Sequence, residues 1–427
     1  MPASTLDPKS SDRRPRENLQ RISARLIGAL LLLASPVFAH APAPDSATPD
    51  APRWIATWGS APQLTETQNL PPPPGLTDTT LRQIVHVSVG GQRLRVRFSN
   101  AYGSAPVTLQ PVQIARSAGH GTIVSGSGRA LMFSGRPGVT IPAGATMVSD
   151  PCDFDLAPLS DVAVTAYLAA PPADVTGHPG SRTTSYLKTG DAVASVALPE
   201  ARTVDHWYYL SGIDVLTEPT GAVVAILGDS ITDGRGSTTN GNDRWPDGLA
   251  RRLQADARTG SVAVLNQGIG GNRLLHDGLG PSALARLDRD VLAQAGVRWL
   301  IVLEGVNDIG TYSGDDASAL AHDIVAAYEQ IVYRAHARGL KVYGATILPF
   351  GDSFYFNPVR ETARQAVNLW IRTSGAWDAV IDFDAAMADP DHPARLLPSV
   401  DGGDHLHPNA AGYARMAAAI DLGLFIP

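Results

Sequence analysis

The chain has 427 residues, 44% hydrophobic and 18% charged, a globular composition long enough for two domains with their own cores. Its formal charge is −7, and that acidic balance argues against nucleic acid or anionic lipid as a partner. The single cysteine, Cys152, excludes an intrachain disulfide and a structural zinc site built on cysteines.

At the amino end, Lys9, Arg13, Arg14, Arg16, Arg21 and Arg25 precede the apolar run Leu26–Ala34, and small residues follow at Ala39 and Ala41. A basic stretch, a short apolar stretch and a small-residue cleavage site predict a signal peptide over residues 1–39 and a periplasmic or secreted product. The run is shorter than the roughly 20 residues a bilayer span needs, so no stable membrane insertion is expected after its removal. The pair Arg13-Arg14 is followed by Pro15 and lies far from the apolar run, a weak match to a twin-arginine signal. Removal would leave 28 basic against 38 acidic residues, a formal charge of −10. Residues 40–52, rich in Ala, Pro and Asp, read as a disordered linker.

Residues 53–216 read as a β-rich accessory domain. Short alternating runs are broken by glycine and proline, as in Val162–Leu168, and long helical patterns are absent. The runs Leu81–Val89 and Leu94–Asn100, separated by Gly90-Gly91, predict a hairpin. A β-sandwich or jelly-roll-like architecture is expected.

From 217 to 427 the rhythm changes. Apolar runs at 222–227, 262–266, 299–304, 340–348 and 379–383 alternate with helical patterns. The clearest helix spans 315–338, with Leu320, Ile324, Ala327, Tyr328, Ile331 and Ala335 on one face and Gly339 as its cap. Asn357-Pro358 opens another with a capping residue and a first-turn proline. Alternating strands and helices predict an α/β fold, a doubly wound parallel sheet, in which ligands bind beyond the carboxyl ends of the strands.

Those ends carry the chemistry-bearing residues. The first strand runs into Gly228-Asp229-Ser230, and the second into Asn266-Gln267-Gly268-Ile269-Gly270-Gly271-Asn272. The third leads to Glu304-Gly305-Val306-Asn307-Asp308, and Asp404-His405-Leu406-His407 lies beyond the fifth, before a helix over 408–420. Acyl transfer needs a nucleophile, a base to take its proton, a carboxylate to orient the base, and donors for the developing oxyanion. Taken singly, a serine after Gly-Asp is a turn and an Asn-Asp pair is a helix cap. It is the joint set, in this order, that points to chemistry. Asp404 and His407 also have the spacing of a metal pair, but no third ligand of suitable spacing accompanies them, so neither a metal nor another cofactor is expected. The absence of a Gly-x-Ser-x-Gly elbow disfavours an α/β-hydrolase.

On these motifs, residues 222–427 resemble the SGNH (GDSL-like) hydrolase superfamily, with a flavodoxin-like sheet. Ser230 matches the nucleophile of the first block, Gly271 and Asn307 the oxyanion residues of the second and third, and Asp404 and His407 the Asp-x-x-His of the last. The resemblance adds the Ser230 backbone to the oxyanion hole. Ile231 stands where the family's leucine would be. Gly268–Leu275 and Arg286–Asp290 look like a bacterial secreted arylesterase/acylhydrolase branch, whose amino-terminal domain the β-rich half also resembles. The resemblance implies a serine esterase acting on short, chiefly acetyl, esters of carbohydrates or aryl alcohols. The alternatives are a lipase or lysophospholipase, or a catalytically dead carbohydrate-binding protein.

A second Gly-Asp-Ser, at 351–353, has neither a direct strand lead-in nor a helix behind it, so Ser353 reads as a loop residue. Its loop leaves the fourth strand at the active edge, where Phe350, Phe354, Tyr355 and Phe356 are able to stack on a sugar or aryl group or to plug a gap between domains. Asn272, Phe350, Phe354 and Tyr355 are the candidate substrate-binding residues. The stretch His206–Tyr209 reads as interdomain core, Trp245-Pro246 as helix-start packing, and His405 as solvent-facing.

Overall fold

A computed structural model describes residues 51–426, so the predicted signal peptide and most of the predicted linker lie outside the described residues. The first strand, Arg53–Gly59, pairs antiparallel with Leu210–Thr217, so the β-rich half begins and ends on neighbouring strands. Two antiparallel sheets, of five and seven strands, make up most of it. Side chains from both, among them Val96, Phe98, Ile114 and Val164, join one buried cluster.

The predicted hairpin does not form. Thr79–His86 pairs with Asp161–Leu168 and Ser185–Thr189 in the seven-stranded sheet. Gly91–Ser99 pairs in the other sheet, with Leu210–Thr217 among its partners. Seven of the eight residues in Thr79–His86 are buried, the pattern of an interior strand with a neighbour on each side, and its edges leave no room for the next strand in sequence. The glycine pair therefore turns the chain from one sheet to the other.

The second half opens with Ala222–Gly228, all seven residues buried, an interior strand of a parallel sheet. Four more parallel strands follow in sequence: Val262–Gly268, Val297–Leu303, Lys341–Ala345 and Ala379–Ile381. Their spatial order is second, first, third, fourth, fifth, a flavodoxin-like doubly wound sheet. The strand order reverses between the first and third strands, so the crevice for a ligand lies beyond their carboxyl ends.

Eight helices are described in this half: α1 (Ser230–Asp233), α2 (Trp245–Ala255), α3 (Ala283–Leu287), α4 (Val306–Thr311), α5 (Ala317–His336), α6 (Pro358–Thr373), α7 (Phe383–Met387) and α8 (Ala410–Ala418). Helix α5 starts where Asp316 accepts from the Ser318 and Ala319 N–H groups, and the six face residues read from its periodicity are all buried. The Asn357 side chain caps α6. Trp245 at the start of α2 is buried edge-on against Phe383, a packing role.

The described residues form one compact unit rather than two separable bodies. The Ser88 hydroxyl donates to Thr57 O at 2.8 Å and accepts from Val264 N at 3.1 Å, binding the edge strand of the parallel sheet to the β-rich half. Arg289 reaches across in the other direction, to Tyr102 Oη at 2.7 Å and Pro62 O at 2.9 Å.

Candidate active site

Asp229 ends the first parallel strand and caps α1, its carboxylate accepting from Ile231 N at 2.8 Å. This tight exit from strand to helix puts Ser230 at the first helical position, with its N–H outside the intrahelical ladder. The serine Oγ lies 2.8 Å from His407 Nε2. His407 Nδ1 lies 2.7 Å from Asp404 Oδ2, and the other oxygen of Asp404 accepts from His407 N at 2.8 Å and Leu406 N at 3.1 Å. A carboxylate only accepts, so Nδ1 carries the proton, Nε2 is the acceptor, and the serine hydroxyl donates to it.

The electrostatics suit a base. Burial pushes the His407 imidazole below its ordinary value, against the opposing pull of Asp404, while the charges of Arg235 and Arg182 lower it further. Burial raises Asp404, but the His407 N–H and imidazole outweigh it and hold the carboxylate below its usual range. His407 is therefore neutral, and Asp404 ionised, at neutral pH.

Gly271 lies in the left-handed region at φ 73°, a conformation in which any Cβ is strained. Among the described residues neither its N–H nor that of Ser230 donates to another protein group. Asn307, in the first turn of α4, donates through Nδ2 to Asn272 O at 2.8 Å. That carbonyl accepts only, which fixes the amide so that Oδ1 faces Tyr355, whose hydroxyl donates to it at 2.9 Å. One Nδ2 hydrogen remains for a ligand. Ser230, Gly271, Asn307 and His407 all line one cleft of about 440 Å³.

Behind these residues, Arg286 is wholly buried and ties the strand ends together. It donates to Gly228 O at 2.9 Å, Gln267 O at 2.6 Å and Asn272 Oδ1 at 2.9 Å, and pairs with Glu304 at 3.2 Å and Asp290 at 3.3 Å. Asp308 accepts from Leu274 N at 2.8 Å and Leu275 N at 3.0 Å, which fixes the loop that carries Gly271. Burial pushes the Asp229 carboxyl up to about 7, opposed by the Ile231 N–H and reinforced by Asp308.

Two substrate-binding expectations need correction. Phe350 is fully buried, packs under the Arg364 guanidinium and does not line the cleft, because the chain turns inward directly after the fourth strand. The Asn272 side chain is buried and occupied by Pro281 O and Arg286, leaving only its carbonyl to act, on Asn307. Phe354, at 70% exposure, and Tyr355 do line the cleft. The Ser353 hydroxyl donates to Phe350 O at 2.6 Å and accepts from Tyr355 N at 3.2 Å within its own turn, and among the described residues it bonds no histidine. His405 is exposed and bonds Asp401 at 2.6 Å. Of the stretch 206–209, Trp207, Tyr208 and Tyr209 are buried, whereas His206 lines the cleft.

Sequence reasoning missed what the β-rich half supplies. Arg182 and His206 stand in the cleft wall, and buried His178 lies 2.9 Å from Asp233 at the end of α1. Nothing local in sequence marks them: the Asp233 partner of His178, for one, lies 55 positions along the chain. Among the described residues no group of three or more His, Cys, Asp or Glu side chains is placed to hold a metal ion.

Residues 226–415 match the model of the GDSL-like lipase/acylhydrolase family. No curated protein matches the chain. Among solved structures, a GDSL-like lipase from Bacteroides thetaiotaomicron is 18% identical, covers 46% of this chain and 84% of its own, and has a TM-score of 0.34. Axe2, an acetylxylan esterase from Geobacillus stearothermophilus, is 22% identical over 47% of this chain and 93% of its own, with a TM-score of 0.36. Est24, a carbohydrate acetylesterase from Sinorhizobium meliloti, is 17% identical over 46% and 95%, also at 0.36. The stretch that matches the GDSL-like lipase/acylhydrolase model, residues 226–415, lies on the flavodoxin-like sheet behind the β-rich amino-terminal half.

Proposed function

We propose that the protein is an exported serine esterase that cleaves short acyl groups, acetyl foremost, from carbohydrate or aryl alcohols. The observation that carries this reading is the hydrogen-bonded row Ser230–His407–Asp404, opening into a cleft shared with Gly271 and Asn307. Ser230 Oγ attacks the ester carbonyl carbon as His407 Nε2 takes its proton. The oxyanion is received by the Ser230 and Gly271 N–H groups and by Asn307 Nδ2. The intermediate collapses, the alcohol leaves with the proton from Nε2, and an acyl-serine remains. Water, deprotonated by the same nitrogen, then releases the acid and restores the serine.

The cleft wall supports a short acyl group on a polar alcohol. Gln63, Glu66, Gln68, Asn69, Arg182 and His206 all line it, a surface that suits hydroxyl groups better than a fatty tail. Phe354 and Tyr355 supply the aromatic faces. The test is turnover of aryl acetate, butyrate, octanoate and palmitate by the wild type and by Ser230→Ala, with a serine-directed covalent inhibitor as a further arm. Activity that falls with chain length, is blocked by the inhibitor and is lost in Ser230→Ala is expected. A maximum at octanoate or beyond points instead to a lipase or lysophospholipase, and no turnover of any ester to a binding protein.

A further inference from the structure

In an acidic protein, two arginines stand in the wall of the catalytic cleft, one from each half of the molecule: Arg182 and Arg235. The carboxylates beside them are already engaged. Glu66 accepts from Gln63 at 2.5 Å and Asn69 at 2.9 Å, and Asp233 is paired with His178. Asp404 serves His407 and comes no closer than 3.9 Å to Arg235, whose side chain is exposed. Arg182 has less still. Among the described residues no carboxylate pairs with it, its side chain donates no hydrogen bond, and its Nε is buried without a partner. Its backbone is held at φ 52°, which an arginine rarely adopts, while its carbonyl accepts from Asn240 N at 2.9 Å. The β-rich half thus fixes an unneutralised guanidinium beside the nucleophile. Both arginines lie near enough to His407 for their charge to be felt there.

We infer that Arg182 and Arg235 form a subsite for an anionic group, a carboxylate in particular, carried by the alcohol half of the ester. A guanidinium presents a planar fork of donors that matches a carboxylate, and a half-buried cleft weakens that attraction less than open water does. This inference rests on the esterase reading and names the substrate class for it: esters of acidic alcohols such as uronates or hydroxybenzoates.

The test compares 4-acetoxybenzoate with its neutral counterpart 4-acetoxybenzamide, in wild type, Arg182→Gln, Arg182→Lys and Arg235→Gln. The quantity read is the anion-to-neutral ratio of kcat/KM, which cancels general damage to the site. Arg182→Gln is expected to lower that ratio about tenfold, between the effect of an exposed ion pair and that of a buried one, and Arg182→Lys to restore part of it. Added salt lowers the wild-type ratio as well. A ratio equal in wild type and in both glutamine variants, with 4-acetoxybenzamide still turned over, overturns the subsite and leaves the esterase standing. A wild type that cleaves neither ester overturns both. Inhibition of aryl acetate hydrolysis in the wild type by benzoate and by benzamide needs no variant. Benzoate is expected to be the stronger inhibitor, and equal inhibition refutes the subsite.

Discussion

Tyr355→Phe removes one oxygen and tests whether Asn307 acts as an oriented donor. The ring itself is fixed by close packing: a Cβ on Gly310 of α4 would lie 2.2 Å from Tyr355 Cδ2, so the phenyl of the variant keeps its seat. What disappears is the 2.9 Å bond to Asn307 Oδ1, leaving a buried acceptor without its donor. Such a loss costs about 1–2 kcal/mol. If that cost appears as freedom of the amide to leave its catalytic orientation, kcat falls roughly 5- to 30-fold, at 1.36 kcal/mol per tenfold. KM changes little, because the oxyanion exists only after attack. The ceiling is Asn307→Ala, which removes the donor itself and is expected to lower kcat by about 10² to 10³. Steady-state kinetics on an aryl acetate for wild type, both single variants and the double variant complete the cycle. In the Asn307→Ala background Tyr355→Phe is expected to do almost nothing, since its effect passes through that amide. Full additivity in the double variant, or a change confined to KM in Tyr355→Phe, would refute the orienting role.

Other outcomes follow from the same geometry. Ser353→Ala keeps activity to within a few-fold, its hydroxyl serving only a turn, and an enzyme inactivated by it alone would displace Ser230 as nucleophile. The pH profile of kcat/KM is full where His407 is neutral and falls as pH drops through its folded pKa, which burial places below the ordinary histidine value of about 6.5. An acid limb centred above 7 contradicts this. Arg286→Met takes the buried guanidinium from Glu304 and removes the donor shared among Gly228 O, Gln267 O and Asn272 Oδ1, a loss of about 3–5 kcal/mol that thermal or denaturant unfolding would register. Unchanged stability would mean that Glu304 is protonated in the native state.

The parallel sheet was legible because burial on both faces writes each strand as an unbroken apolar run, and because Asp316 and Asn357 cap their helices with local side chains. The candidate residues could be placed together for a related reason, since a doubly wound sheet must bring its strand ends to one edge. The β-rich half read less well. Its composition announced strands, but pairing depends on partners far along the chain, so Gly90-Gly91 signalled a turn without saying that the turn changes sheets. The aromatic loop failed at Phe350 for a similar reason. Hydrophobicity does not distinguish a ring turned inward, like Phe350, from one left exposed beside the substrate, like Phe354.

The contacts of His178 tie the β-rich half to the helix that carries Ser230. Its Nδ1 lies 2.9 Å from Ala61 O and its Nε2 2.9 Å from Asp233 Oδ1. A carbonyl only accepts, so Nδ1 is protonated, and the Nε2–Asp233 contact must then hold a proton on one side or the other. Either form is a charged or proton-sharing bond in a buried place, where removing one partner is costly. Asp233 is the last residue of α1, whose first residue is Ser230. Trp207, stacked on His178 at 5.6 Å and edge-on to Trp58 at 4.9 Å, packs that bond into the core of the β-rich half. Helix α1, which carries Ser230, is therefore held at one end by the strand it leaves and at the other by a histidine from the opposite half. The same β-rich half carries Arg182 into the cleft, so one interface both fixes the serine and furnishes the wall that its substrate must meet.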